Sequence, residues 1–176
     1  RMRRPCAALR AHCVARAAFS SSRMRAARRH MQMIFQDPYS SLNPRMKARD
    51  IVDEPLIIHR LGSKRDREAR VAELFRLVGL DPAHLDRYPH EFSGGQRQRI
   101  GLARALALEP KFIIADEPTG NLDSKTGVEI MALFARLHEA GNTIVLVTHE
   151  ADVAAYAHRQ ILIRDGKVEK DVRQAA

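Results

Sequence analysis

Apolar and polar positions follow a helical period over residues 63–79. Apolar side chains recur there at intervals of three and four residues, which places them on one face of a helix. These positions are Val71, Leu74, Phe75 and Val78. Ser63 with Asp66 indicates a helix start, and Gly79 is suited to end the helix. The pattern predicts one amphipathic helix that packs against a core.

Two short apolar runs predict buried parallel strands. Residues 111–115 are Lys-Phe-Ile-Ile-Ala and residues 143–148 are Thr-Ile-Val-Leu-Val-Thr, and such runs are typical of strands that are covered on both faces. A helix is predicted between them over about 125–140, with its end at Gly141. Strand, helix and strand in this order predict an α/β domain with parallel strands.

Weaker patterns predict the remaining elements. They are a strand over 31–35, a helix over 47–59 that Pro55 interrupts, an irregular segment over 82–89, a helix that opens at Ser93 and stops at Glu109-Pro110, and a hairpin with strands 160–164 and 167–169 around Asp165-Gly166. The helix that opens at Ser93 is expected to turn Ile100, Ala103 and Ala107 inward.

The net charge of +9 comes from one end of the chain. Residues 1–30 hold nine of the 30 basic side chains and no Asp or Glu, so the other 21 basic side chains equal the acidic ones in number. A basic surface of the kind that binds nucleic acid is therefore not predicted. Both cysteines, Cys6 and Cys13, lie in the same segment, and the eight histidines are scattered. We expect neither a disulfide framework nor a histidine metal cluster.

The composition of residues 1–30 has three possible origins. The segment is rich in Arg, Ala and Ser and contains neither Gly nor acidic residues. Organellar transit peptides have this composition, and so do disordered basic arms. Coding DNA of high GC content that is translated out of frame also yields mainly Arg, Ala, Pro and Cys.

Asp116 and Glu117 directly follow the first predicted apolar strand. Ligands of open parallel sheets bind at the carboxyl ends of the strands. Phosphoryl transfer needs one carboxylate near Mg²⁺ and a second group that orients water, and we assign Asp116 to the metal and Glu117 to the water. The alternative is that these two acids only cap the next turn.

A serine and two glycines, Ser93-Gly94-Gly95, precede the helix that follows them. Backbone N–H groups at a helix start bind anions, and glycines let phosphate oxygens approach the backbone closely. The alternative is an ordinary helix cap with a flexible segment before it.

These two segments together resemble the signature and Walker B motifs of ABC ATPases. Residues 93–99, Ser-Gly-Gly-Gln-Arg-Gln-Arg, are followed by an Ala-rich helix and then by the strand that ends in Asp116-Glu117-Pro118. Phe92 stands where the signature usually has Leu. The resemblance covers residues 31–170 and implies a partial P-loop NTPase-type α/β domain, with parallel strands and a helical subdomain over about 45–105. Residues 1–30 and 171–176 are predicted to be tails.

Three more segments resemble motifs of this family. Gln36 is similar to the Q-loop glutamine, Asn121-Leu122-Asp123 to the D-loop at the dimer interface, and His149 to the switch histidine. The resemblance implies catalytic roles for Glu117 and His149, and Mg²⁺ ligation by Asp116 and Gln36. It implies nucleotide contacts for Gln36, Ser93, Gly94, Gly95, Gln96 and Asp123.

The resemblance also implies partners and a location. ABC ATPases bind ATP and Mg²⁺, pair with a second ATPase subunit, and dock on transmembrane permeases at the inner face of the cell membrane. Residues 36–45 and 88–92 look like those of peptide-importer ATPases, whereas residues 119–124 and 148–150 look like those of lipoprotein-release or macrolide-exporter ATPases. Peptide transport is the predicted function. The alternatives are a non-catalytic protein that docks on a permease, and a nucleic-acid-associated ABC ATPase.

The sequence contains no Walker A motif, Gly-x-x-x-x-Gly-Lys-Ser/Thr. That loop would cradle the phosphates with its backbone amides and place a lysine on them. In this family it precedes the Q-loop, where residues 1–30 stand, and this favours the out-of-frame or truncated origin for them. We expect weak or no ATP binding by the chain alone, poor solubility, and an apolar sheet edge and face exposed to water.

Overall fold

A three-stranded parallel sheet lies at the centre of the computed structural model, which describes residues 24, 27–36 and 41–174. The strands are β1 (Met31–Ile34), β2 (Phe112–Asp116) and β3 (Thr143–Val147), in the spatial order β1-β2-β3. The predicted α/β class with parallel strands is confirmed. The interpretations of residues 1–23, 25–26, 37–40 and 175–176 concern positions outside the described residues.

Helices cover one face of this sheet and form a bundle beside it. Their bounds are Ala48–Ile58 for α1, Lys64–Leu77 for α2, Gly94–Leu106 for α3, Ser124–Glu139 for α4 and Ala151–Ala154 for α5, with 3₁₀ turns at Pro82–His84 and Pro89–Glu91. The first three pack against one another, α3 also packs on β1, and α4 contacts α3 and β3. None of the helices in the described residues is long and apolar enough to cross a bilayer.

The predicted amphipathic helix is confirmed as α2. Ser63 Oγ accepts from Asp66 N while Asp66 Oδ2 accepts from Ser63 N, so two backbone N–H groups at the helix start are satisfied. The predicted apolar positions are buried, with Leu74 and Phe75 at 0% exposure. Gly79 follows at φ +73°, a conformation that glycine adopts without steric cost.

Pro55 does not interrupt α1, and the predicted break is therefore wrong. A proline inside a helix removes one backbone donor and costs about 3 kcal/mol. Ile51, Val52 and Leu56 are buried on both sides of it. Packing of these side chains on the core offsets the lost hydrogen bond, and the helix continues to Ile58. The end of α3 also differs from its prediction. The helix ends at Leu106, three residues before Glu109-Pro110, where it was expected to stop.

β3 is not the buried strand that its apolar run predicts. One face of the sheet lies under the helices, and Ile113 and Ala115 are fully buried there. The opposite face is open, with Val145 and Val147 at 39% and 49% exposure. Met31 and Met33 of β1 share this open face. In the described residues β3 pairs only with β2, so the expectation of an exposed apolar face and edge is confirmed.

The predicted hairpin is confirmed as β4 (Arg159–Arg164) and β5 (Lys167–Arg173). Asp165 and Gly166 connect the strands with φ values of +50° and +71°, as two-residue hairpin turns require. β5 continues to Arg173, beyond the predicted strand end at 169, because it stays paired with β4 along that length.

Candidate functional site

Four of the candidate residues lie at the carboxyl edge of the sheet. Parallel strands place their carboxyl ends together. Gln36 comes two residues after β1, Asp116 ends β2, Glu117 follows it, and His149 comes two residues after β3. Asp116 pairs in register with Val147 and alternates with the buried Ala115, so it belongs to the open face of the sheet.

Glu117 is held by hydrogen bonds from the residues that follow β3. Its Oε1 accepts from the backbone N of His149 at 2.9 Å and lies 2.6 Å from His149 Nδ1. Its Oε2 accepts from Thr148 Oγ1 at 3.0 Å. The backbone of Glu117 has φ +44°, a left-handed conformation that costs roughly 1–2 kcal/mol for a residue with a side chain. Such strain clusters at functional sites.

The contact between Glu117 and His149 changes the pKa of both groups. Burial raises the pKa of Glu117, but the hydrogen bonds from His149 and Thr148 outweigh this effect, and the pKa lies below its usual value of 4.5. The hydrogen bond to Glu117 and its negative charge raise the pKa of His149 above its usual value of 6.5. Glu117 is therefore a carboxylate at neutral pH, and His149 is poised to carry a proton on Nδ1.

Gln36 lies against the turn that follows Glu117. The backbone carbonyl oxygen of Gln36 accepts from Asn121 Nδ2 at 3.2 Å. A Cβ atom at Gly120 would lie only 3.3 Å from Gln36 Nε2, so the side-chain amide of Gln36 sits close to the glycine. The buried Gln98 of α3 donates to Pro118 O in the same turn at 3.3 Å. The turn thus joins the segment after β1 to α3.

Ser93, Gly94, Gly95 and Gln96 open α3, as predicted. Ser93 Oγ accepts from Gln96 N, and Gln96 Oε1 accepts from Ser93 N. The sequence left a helix cap and an anion-binding nest as alternatives, and the cap is present. The cap does not exclude the nest, because the Ser93 hydroxyl can still donate its own hydrogen to an anion.

The start of α3 packs against the start of α4. A Cβ atom at Gly95 would collide with Thr126 Cγ2, so only glycine allows this approach. Arg99 of α3 forms an ion pair with Glu129 of α4 and donates to Val78 O at 2.7 Å. A cavity of about 240 Å³ lies here and is lined by Gly79, Ser93, Gly95, Gln96, Arg99, Thr126 and Glu129.

The candidate residues therefore form two groups. None of Gln36, Asp116, Glu117 and His149 lines the cavity beside Ser93. Asp123 belongs to the second group, where it caps α4 by accepting from the backbone N and the Oγ1 of Thr126. These hydrogen bonds lower the pKa of Asp123. Its predicted nucleotide contact remains a prediction.

Glu117, His149 and Glu150 offer oxygen and nitrogen atoms that all lie within 4.8 Å of one another. This spacing would allow a metal ion, although the scattered histidines of the sequence did not indicate one. The hydrogen bond between His149 Nδ1 and Glu117 Oε1 already occupies two of these atoms. The arrangement is therefore an acid–histidine pair, with Glu150 beside it.

Sequence reasoning missed three residues that shape the site. Thr148 binds Glu117, Gln98 holds the turn at Pro118, and Thr126 packs against Gly95. Thr148 could have been found, because a hydroxyl directly before a candidate histidine lies at the same strand end. The other two depend on contacts between distant segments, which no local pattern indicates.

One family model matches more than half of this chain. Residues 11–120 match the family model described as ABC transporter. The match begins inside the arginine-rich segment, whose boundary at residue 30 remains a prediction.

Curated relatives are similar over most of this chain. It is 54% identical over 136 residues to the oligopeptide transport ATP-binding protein OppF of Streptococcus mutans serotype c, covering 76% of this chain and 44% of that protein. It is 49% identical over 142 residues to the dipeptide transport ATP-binding protein DppF of Lactococcus lactis subsp. cremoris, covering 80% of this chain and 46% of that protein. The chain thus spans less than half the length of these relatives.

Solved structures share the fold. The dimeric structure of a bacterial ABC transporter cassette superposes with a TM-score of 0.77 and 37% identity, covering 90% of this chain and 69% of that one. A dimeric cassette in a post-hydrolysis state with ADP and Pi gives the same TM-score at 36% identity and the same coverage.

Proposed function

Because this chain belongs to the ABC transporter family, we propose that it acts as the ATP-binding subunit of a peptide importer and couples ATP hydrolysis to transport. The observation that carries the proposal is the contact of Glu117, at the end of β2, with His149, beyond the end of β3. The names of the relatives, which are oligopeptide and dipeptide transport ATP-binding proteins, support the substrate class.

Asp116 and Gln36 fit a magnesium ion chemically. Carboxylate and amide oxygens are hard ligands of the kind that Mg²⁺ prefers, and both residues lie at the carboxyl edge of the sheet. The ion, when bound with ATP, neutralises charge on the phosphate oxygens. Asp116 would hold it as a charged ligand and Gln36 as a neutral one.

Glu117 would orient the attacking water and accept its proton. Its lowered pKa keeps it ionised, and the hydrogen bonds from Thr148 and His149 fix both of its oxygens. His149 donates from Nδ1 to Glu117, which leaves Nε2 for the γ-phosphate. The geometry therefore supports one group for water and one for phosphate, as phosphoryl transfer requires.

Ser93, Gly94, Gly95 and Gln96 would act on a nucleotide held by a partner ATPase subunit. Ser93, Gly95 and Gln96 line a cavity that Glu117 and His149 do not line, which supports a separate nucleotide contact for them. Solved relatives are dimeric, and a dimer supplies the second group, with Asp123 near the boundary. Transmembrane permease subunits at the inner face of the membrane complete the proposed assembly.

A second candidate function is permease docking without catalysis. This function needs no Walker A loop, which supplies most of the contacts to a triphosphate and does not occur among the 176 residues. A nucleic-acid role has less support, because the charge excess is confined to residues 1–30.

Equilibrium binding of Mg²⁺-ATP to the purified chain tests our account of nucleotide recognition by the chain alone. Glu117→Gln slows turnover and lets bound ATP accumulate, and Glu139→Gln on α4 is a matched control. We expect weak or no binding by the chain alone. Micromolar, stoichiometric binding would contradict our account of nucleotide recognition. The hydrolytic function itself is tested with a partner subunit, as described in the Discussion.

A further inference from the structure

Asn121 forms a link between the segment after β1 and the turn after β2. β1 and β2 are neighbouring parallel strands, with Ile34 in register with Ala115. The chain therefore leaves the sheet at the same edge in both places. Asn121 Nδ2 donates to Gln36 O across this gap at 3.2 Å, which joins residues 85 positions apart in the sequence.

The turn that carries Asn121 is itself fixed. Gly120 N donates to Glu117 O at 3.2 Å, and Leu122 N donates to Thr119 O at 2.9 Å. Gln98, which is 3% exposed, holds Pro118 O. The turn is therefore anchored to α3 on one side and to the strained Glu117 on the other, so Asn121 has a defined position from which to donate.

Gly120 completes the contact with Gln36. The space that a side chain would fill at position 120 is bordered by Gln36 Nε2 at 3.3 Å and by Glu117 Cβ at 3.6 Å. The side-chain amide of Gln36 thus lies against the backbone of Gly120, while the backbone carbonyl of Gln36 accepts from Asn121. Backbone and side chain of Gln36 are both positioned by two consecutive residues of the turn.

We propose that Asn121 and Gly120 are positioning residues that hold Gln36 beside Asp116 and Glu117. This inference deepens the proposed function, because it rests on Gln36 being a magnesium ligand. It assigns to the turn a task within one chain, in addition to its expected place at the dimer interface. Displacement of the turn then moves Gln36 with it.

Two substitutions at Asn121 separate the hydrogen bond from the shape of the side chain. Asn121→Asp keeps the shape but has no N–H to donate, and Asn121→Ala removes both. Asn142→Asp is a matched control, since Asn142 Nδ2 also donates to a backbone carbonyl, that of Pro110, away from Gln36. Gly120→Ala independently tests the close approach of the Gln36 side-chain amide to position 120.

The measurement is NMR on the isotopically labelled full chain, without nucleotide and then with Mg²⁺-ATP. Without nucleotide, we expect both Asn121 variants to shift the Gln36 carbonyl ¹³C signal upfield, because the carbonyl loses a hydrogen bond. Gly120→Ala should shift the Gln36 side-chain amide signals. Asn142→Asp should lower the Tm and leave all Gln36 signals unchanged.

Unchanged Gln36 signals in folded Asn121→Asp and Gly120→Ala would overturn the inference. If the Asn121 variants do not fold, Gly120→Ala alone decides, because it leaves the donor in place. The nucleotide arm addresses ATP binding by the chain alone, and the proposed function is tested separately with a partner subunit. Shifts in the variants without any response of the wild-type chain to Mg²⁺-ATP would support the positioning and count against ATP binding by this chain.

Discussion

His149 Nδ1 lies 2.6 Å from Oε1 of Glu117, and this contact joins the ends of two neighbouring strands. Glu117 belongs to the segment after β2 and His149 to the segment after β3. The contact therefore depends on the relative position of these two segments. Because both groups titrate, the contact should be visible in the pH dependence of folding.

The stabilisation by this pair should be largest between pH 4.5 and 6.5, the usual pKa values of the two groups. The pKa of His149 is raised on folding, so its contribution is lost as pH rises through that higher value. The pKa of Glu117 is lowered, so its contribution is lost as pH falls through that lower value. The free energy of unfolding of His149→Ala, measured by urea against pH, should approach that of the wild type above and below this window.

His59→Ala is the control for that series, because His59 caps α1 far from the pair. It should show no such window. A constant difference between wild type and His149→Ala from pH 4 to 9 would mean that the charge pair does not form in solution.

Gly95→Ala should destabilise the chain, by about 1–3 kcal/mol as for other overpacked sites. The new methyl group would collide with Thr126 Cγ2. Thr126→Ser removes that carbon and keeps the hydroxyl that donates to Asp123, so the double variant Gly95→Ala/Thr126→Ser should recover most of the loss. Urea unfolding of the four proteins forms a double-mutant cycle. Purely additive effects would exclude a direct contact between the two positions.

The open face of the sheet should cause self-association. Met33 is 44% exposed among apolar neighbours, and Met33→Lys should raise the concentration at which the chain stays monomeric in light scattering. Ile57→Lys on α1 introduces the same charge at a comparably exposed position away from this face. Equal improvement by both variants would attribute the effect to net charge and not to the face.

Ser93 should complete the nucleotide site of a partner. An intact peptide-importer ABC ATPase whose own signature serine is replaced by alanine should regain ATP hydrolysis when this chain is added. Ser93→Ala in this chain should lower the regained rate roughly 100-fold to 1,000-fold, since one hydrogen-bond donor to a reacting phosphate is lost. The control Ser124→Ala, at the start of α4, should leave the regained rate unchanged. Failure of the wild-type chain to restore any hydrolysis would leave permease docking as the better function.

The parts of the fold that sequence predicted best depend on local spacing. Ser63 with Asp66, the apolar positions of α2 and the turn at Asp165-Gly166 each determine a structure within a few residues. Pro55 and β3 were wrongly interpreted because tertiary packing decides there. Buried neighbours keep α1 helical through Pro55, and in the described part of the chain one face of β3 stays exposed whatever its composition.

The candidate site divides in the same way. Asp116, Glu117 and His149 were found because parallel strands end at one edge of a sheet. Their hydrogen bonds, the φ of Glu117 and the contact of Asn121 with Gln36 were not predictable, since each depends on how far neighbouring segments extend beyond that edge.

Because the backbone of Glu117 is left-handed, the residue that favours thermal stability at position 117 differs from the residue that hydrolysis needs. At φ +44°, glycine or asparagine would relieve backbone strain of roughly 1–2 kcal/mol, yet either would remove the carboxylate. A library screened for heat resistance alone would enrich such replacements where the relief of strain exceeds the stabilisation by the contacts of Glu117 with Thr148 and His149, and these proteins would lack the carboxylate. Engineering of this chain should therefore keep Glu117 unchanged, or couple every stability screen to the ATP hydrolysis regained with a partner subunit.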